Sequence, residues 1–154
     1  METNGKLVGT LNTVVRINND RQDGYQLAAR QTNDSDLKNL FAKFSSESSN
    51  FRNDLVTEVN KLNGDAATDT TLSGKVFRAW MEVKKAVTAG DEHAILASCE
   101  FGEDAAQKAY REALASDAEI DADTRQLITD QQAKLKTAHD LIKKYRDAHK
   151  AMNN

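Results

Sequence analysis

Apolar residues recur at helical spacing along four long stretches of the chain. The first, about 6–31, sets Leu7, Leu11, Val14, Val15, Asn18, Tyr25 and Ala28 near one face. The second, about 35–62, aligns Leu37, Leu40, Phe41, Phe44, Ser48, Phe51, Leu55, Val59 and Leu62. The third, about 91–115, carries Ile95, Cys99, Glu103, Ala106, Tyr110 and Ala113. The fourth, about 123–152, carries Leu127, Ile128, Gln131, Leu135, Ala138, Ile142 and Tyr145. The breaks agree with this division. Asn33-Asp34-Ser35-Asp36 is a tight link with a helix N-cap. Asn63-Gly64 offers a left-handed stop, and Ala89-Gly90-Asp91 reads as a stop followed by a cap. The 116–123 link ends in acidic residues, which a helix N-terminus favours.

Helices of ~25 residues are ~37 Å long at the usual rise. Short links make the first two helices an antiparallel hairpin, and the last two another. The intervening crossover, 64–90, is too long for a hairpin link and long enough to return along the molecule. It carries a short amphipathic helix of its own, about 72–88, with Val76, Phe77, Trp80, Val83 and Val87 as its stripe. Trp80 is expected to pack this helix onto the others, because its apolar bulk is costly to leave in water. Two antiparallel hairpins joined by one long crossover is the topology of ferritin-like bundles. The predicted fold is therefore all-α: a ferritin-like four-helix bundle with a short extra helix, as a single domain over 1–154.

Composition narrows the function classes. The chain has no Pro, so its helices meet no internal breaker. Its 21 basic and 24 acidic residues leave a net charge of −3, which provides no electrostatic footprint for nucleic acid or anionic membrane. A single cysteine, Cys99, excludes an intramolecular disulfide and fits a reducing cytoplasm. It reads as a small apolar filler. No apolar run has the form of a signal peptide or reaches the ~20 residues of a membrane span, so a cytoplasmic location is expected. Gly74-Lys75 lacks the upstream glycine of a phosphate loop, and nothing pairs a nucleophile with a base. No catalytic residue is assigned, and a non-enzymatic role is favoured.

Bundles of this topology can hold two iron or manganese ions, with one Glu from each of two helices and Glu-x-x-His from each of the others. Carboxylates bridge and neutralise two divalent ions, and i, i+3 spacing puts Glu and His on one face. Polar residues that intrude on the apolar stripes mark where such a site would lie. Asn18 stands seven residues before Tyr25, and Glu103 seven before Tyr110, so the first and third helices look like one pattern repeated 85 positions apart. Ser48 with Phe51 and Lys136 with His139 form the i, i+3 pairs of the other two helices, 88 positions apart.

Three segments carry a resemblance: Asn18-Asn19-Asp20-Arg21-Gln22-Asp23-Gly24-Tyr25, Gly102-Glu103-Asp104-Ala105-Ala106 with Tyr110, and Ala138-His139-Asp140-Leu141-Ile142-Lys143. With the Trp80 crossover, they resemble an uncharacterised bacterial family of ferritin-like four-helix bundles, described as a domain of unknown function within the ferritin and rubrerythrin superfamily. The likeness runs from about Leu7 to about Asp147. It implies a ferritin-like fold and no established reaction, and it allows a homodimer along a helix face.

Against the ferritin ligand pattern, Asn18 stands at the first Glu, Ser48 and Phe51 at the first Glu-x-x-His, and Lys136 at the Glu of the second. Only Glu103 and His139 match. The expectation is a core polar cluster of Asn18, Ser48, Glu103, Lys136 and His139, in which the Lys136 ammonium replaces the cations and pairs with Glu103. A buried carboxylate is costly unless so paired. The function expected is a non-enzymatic structural or interaction domain, cytoplasmic and stress-associated, with no cofactor. The alternative is a metal-binding protein or oxidoreductase holding iron or manganese at Glu103 and His139, with a bordering Asp (Asp20, Asp23 or Asp104) as third ligand. A further alternative is a small-ligand carrier with a pocket beside Ser48, Ala106 and Ala138. Asp20, Asp23, Glu100 and Asp104 otherwise read as solvated faces. Asn12, Asn18 and Gln131 are expected to satisfy one another.

Overall fold

Three aspartates start helices. Asp34 accepts from the backbone N–H groups of Asp36 and Leu37 at 2.9 and 3.1 Å. Asp91 accepts from Ala94 at 3.1 Å, and Asp121 from Thr124 at 3.2 Å. Each fills donors that a helix start leaves unpaired, worth about 1 kcal/mol apiece. The stops lie where the turn residues are: Asn63 adopts φ 58° and Gly90 φ 72°. Five helices result: α1 Glu2–Gln31, α2 Ser35–Lys61, α3 Gly74–Ala89, α4 Glu92–Leu114 and α5 Ala122–Asn153. The computed structural model describes residues 2–153, with side chains over 5–150. Residues 1 and 154 of the expected domain, and the Met152 side chain, therefore lie outside the described residues. No strand occurs among the described residues.

α1 pairs along α2, and α4 along α5. Both hairpins are antiparallel: Ser45 reaches Gln22 while Arg52 reaches back to Asn19, and Gln131 meets Tyr110 while Arg146 meets Glu100. α3 lies against α4 and α1, and α1 also touches α4. One hydrophobic core takes side chains from all five helices, from Leu7 in α1 to Ile142 in α5.

The crossover runs back along α1 before α3 begins, and α1 holds it down with polar side chains. Asn12 donates to the Asp65 carbonyl and accepts from the Ala67 N–H, both at 2.9 Å. Arg16 pairs with Asp69 at 2.8 Å, and Asn19 donates to the Asp69 carbonyl at 2.8 Å. Asp20 accepts from the Thr71 N–H and hydroxyl. Two expectations are corrected here. Asn12 serves the crossover backbone, not Asn18 and Gln131. Asp20 is buried, not solvated, and burial raises its pKa against the lowering effect of the Thr71 hydrogen bonds.

Trp80 fixes α3 to the rest. Its indole is almost wholly buried and meets the Tyr25 ring edge-on at 5.3 Å. Two glycines make room for it. A Cβ built on Gly24 of α1 would lie 2.4 Å from Trp80 Cε3, and one on Gly102 of α4 would lie 2.9 Å from Cε2 and Cζ2. The indole is thus a wedge between two helix backbones. Ala exceeds Gly in helix propensity by about 1 kcal/mol, yet overpacking costs about 1–3 kcal/mol. Gly24→Ala is expected to lower the urea midpoint despite its better propensity, and Gly102→Ala to do so less. A higher midpoint in either variant would contradict the wedge.

Candidate functional site

Arg21 of α1 lies fully buried at the centre of the first hairpin, with all of its donors engaged. Nε donates to Glu103 Oε1 at 2.7 Å and Nη2 to Glu103 Oε2 at 2.9 Å, a two-pronged pairing across to α4. Nη1 donates to the Ser48 hydroxyl at 2.8 Å and the Phe44 carbonyl at 3.4 Å. Nη2 also reaches Glu47 at 3.0 Å. These bonds use all five N–H groups of the guanidinium. Its plane lies near the rings of Tyr25 and Phe44, 5.2 and 5.4 Å from their centroids. Burial acts to lower the Arg21 pKa, but the charge and hydrogen bonds of Glu103 outweigh it and the net shift is upward. Arg21 and Glu103 both have 0% of their side-chain surface exposed.

A second polar chain runs beside the first. Asn18 donates to the Val14 carbonyl and to the Tyr110 hydroxyl, at 3.0 and 2.8 Å. Tyr110 donates to Gln131 Oε1 at 2.7 Å, and Gln131 donates to the Phe51 carbonyl at 3.3 Å. This chain links α1, α4, α5 and α2. Burial pushes the Tyr110 pKa up. The Tyr25 hydroxyl is buried beside Glu103 without a well-formed hydrogen bond, and burial together with the Glu103 charge raises its pKa well above the usual value. Burial, then Glu103, raises the Cys99 thiol likewise, which keeps it un-ionised and unreactive.

Of the expected cluster, Asn18, Ser48 and Glu103 are buried at this centre, while Lys136 and His139 are not part of it. The Lys136 side chain is 69% exposed and pairs with Asp140 at 3.3 Å. His139 faces Glu100, Asp104 and Asp140 on the seam between α4 and α5. The cause is helix phase. Among the described side chains of α5, the buried positions are Thr124, Ile128, Gln131, Leu135, Ala138 and Ile142. Lys136 and His139 each come one residue after a core position, about 100° further round the helix. The partner of Glu103 is therefore Arg21, not Lys136. Glu103 and His139 do not meet as a ligand pair, since both Glu103 oxygens bond Arg21. The position expected to be hollow is occupied as well. The Ser48 hydroxyl accepts from Arg21, and Ala106 and Ala138 are buried in the core.

An arrangement of this kind holds helices in register and leaves little for chemistry. A guanidinium cannot be deprotonated in a protein, and it neutralises the carboxylate that a metal would need. Metal-ligand geometry exists elsewhere. Among the described residues, Glu100, Asp104 and His139 each bring one possible ligand atom within 4.8 Å of the others.

A family model described as Domain of unknown function (DUF2383) matches residues 6–116. The matched span holds Arg21, Ser48, Trp80 and Glu103, and excludes α5 with Gln131 and His139. No curated protein matches the chain.

Two contrasts test the centre. Arg21→Met leaves Glu103 buried and uncompensated and is expected to cost about 3–5 kcal/mol of stability. Lys136→Met is expected to leave the urea midpoint unchanged, and the reverse order would refute the assignment of partners. Tyr110→Phe removes a relay between two buried amides and is expected to cost about 1–3 kcal/mol. Tyr25→Phe deletes a hydroxyl that makes no well-formed hydrogen bond and is expected to cost less than Tyr110→Phe. Equal losses in the two phenylalanine variants would contradict the hydrogen-bond assignment.

Proposed function

The chain belongs to the DUF2383 family, and on that premise we propose that it is a non-catalytic, ferritin-like four-helix bundle with a protein ion pair where a dinuclear metal centre would otherwise lie. The observation that carries this reading is the complete engagement of the Arg21 guanidinium, fully buried against Glu103. Four long helices in two antiparallel hairpins, with a long crossover between them, support the ferritin-like arrangement. Two divalent ions need several carboxylates to offset their charge. Here Glu103 is spent on a cation that the protein itself supplies, and Asn18 stands in the matching position of α1.

Such a molecule acts through its surface as a structural or interaction domain. A bacterial, cytoplasmic and stress-associated setting is part of this reading, as is self-association along a helix face. The free, buried thiol of Cys99 fits a reducing compartment. The iron or manganese alternative at Glu103 and His139 has lost its support, because the two side chains engage different partners.

Iron loading tests the proposal. Ferrous iron is added to the full chain without oxygen, air is admitted, and retained metal is measured after desalting. The expected result is no iron whose retention depends on Glu103. Two iron ions per chain, lost in Glu103→Gln, would overturn the proposal.

A further inference from the structure

We infer that Glu100 and Asp104 of α4 and His139 of α5 form a mononuclear site for a divalent first-row transition ion of the zinc type, on the outer seam of the second hairpin. It is separate from the Arg21–Glu103 centre and does not rest on the reading given above. Glu100 and Asp104 are four residues apart in one helix and so project from one face. His139 enters from the facing helix. Its Nε2 lies 2.9 Å from Asp104 Oδ1 and 3.7 Å from Glu100 Oε1. Donors bound tetrahedrally to zinc at the usual bond lengths are about 3.3 Å apart. The imidazole nitrogen therefore stands near that spacing from both carboxylates, and the three ligand atoms all lie within 4.8 Å of one another.

The surroundings of the ring add to this. Nδ1 of His139 lies 3.1 Å from Asp140 Oδ1. A carboxylate on the far nitrogen is the usual outer partner of a metal-bound histidine: it fixes the proton on Nδ1 and turns the Nε2 lone pair toward the metal. Lys136 holds the other oxygen of Asp140 at 3.3 Å, so this outer carboxylate is itself anchored. Arg146 engages Oε2 of Glu100 and leaves Oε1 facing the ring.

Acceptor oxygens face both ring nitrogens: with the Nδ1 proton held by Asp140, the Nε2 lone pair is left toward the oxygens of Asp104 and Glu100, where a dication would satisfy all three ligand atoms. The Glu100 and His139 side chains are 13% and 16% exposed and Asp104 is 58% exposed. The site is thus walled on two sides and open on the third, where water would complete the coordination. One imidazole with two carboxylates suits zinc and its first-row neighbours better than magnesium, which prefers an all-oxygen shell.

Calorimetric titration of the chelator-treated full chain with zinc chloride tests the site, with magnesium chloride as the comparison and circular dichroism confirming that each variant is folded. The expected result is one zinc ion per chain and much weaker magnesium binding. His139→Gln and Asp104→Asn should each lose the saturable binding, and Asp140→Asn should weaken it about 10–100-fold through the outer carboxylate. The other two histidines, His93 and His149, stack with ring centroids 5.9 Å apart. The double variant His93→Gln/His149→Gln should bind as the parent does. No saturable zinc binding would show that the three side chains form an ion-pair cluster only, and would overturn the inference. So would unchanged affinity in His139→Gln, or loss of binding in the His93/His149 double variant.

Discussion

A guanidinium with no exposed surface must find an acceptor for each of its five N–H groups, and that requirement organises this molecule. Arg21 meets it with Glu103 from α4 and with Glu47, Ser48 and the Phe44 carbonyl from α2. Each contact fixes the rotation and height of one helix against α1. A helix slide of one residue would strand a buried charge, which is far more costly than loss of an apolar contact. The Asn18–Tyr110–Gln131 relay extends the same constraint to α5, and the Trp80 wedge extends it to α3. The apolar core supplies most of the driving force. The polar centre selects one packing among the several that an apolar core alone would tolerate.

The helices, their links and the crossover are legible in the sequence because each depends on local features: a 3.6-residue period, aspartate caps and left-handed stops at Asn63 and Gly90. The Trp80 contact is legible from amphipathicity. Its two glycines are not, because Gly24 and Gly102 matter only through what approaches them from another helix. The polar centre was half legible. Asn18, Ser48 and Glu103 interrupt apolar stripes and are buried as expected. Arg21 was missed although a signal for it exists. Val14, Asn18, Arg21, Tyr25 and Ala28 follow alternating steps of four and three, the spacing of one buried seam. A cation inside the polar run from Asn18 to Asp23 reads as solvated, but Arg21 faces α2 and α4, while the crossover covers Asn19 and Asp20 beside it. Lys136 and His139 show the opposite error. Their i, i+3 spacing fits a ligand motif, but the phase of α5 puts Leu135 and Ala138 at the core in their stead. Spacing identifies residues that share a face. The apolar residues of the same helix decide which way that face points.

The centre and the seam divide the chemical possibilities. At the centre, charge is balanced internally, the rings are packed and the ionisable tyrosines and thiol are held un-ionised by burial. On the seam, carboxylates converge on an imidazole near solvent, where an exchangeable ion can be accommodated. The interior of this all-α protein is therefore organised by its own side chains, and its converging ligand atoms lie on the outer seam.

The central claim is that Arg21 and Glu103 are each other's buried partner. A double-mutant cycle in urea denaturation tests it most directly, with Arg21→Met, Glu103→Leu and the two combined. Each single change strands one buried charge and is predicted to cost about 3–5 kcal/mol, whereas the double variant, with an apolar pair of similar volume, loses far less than their sum. Additive losses would show that the two side chains do not depend on each other, and would contradict the account.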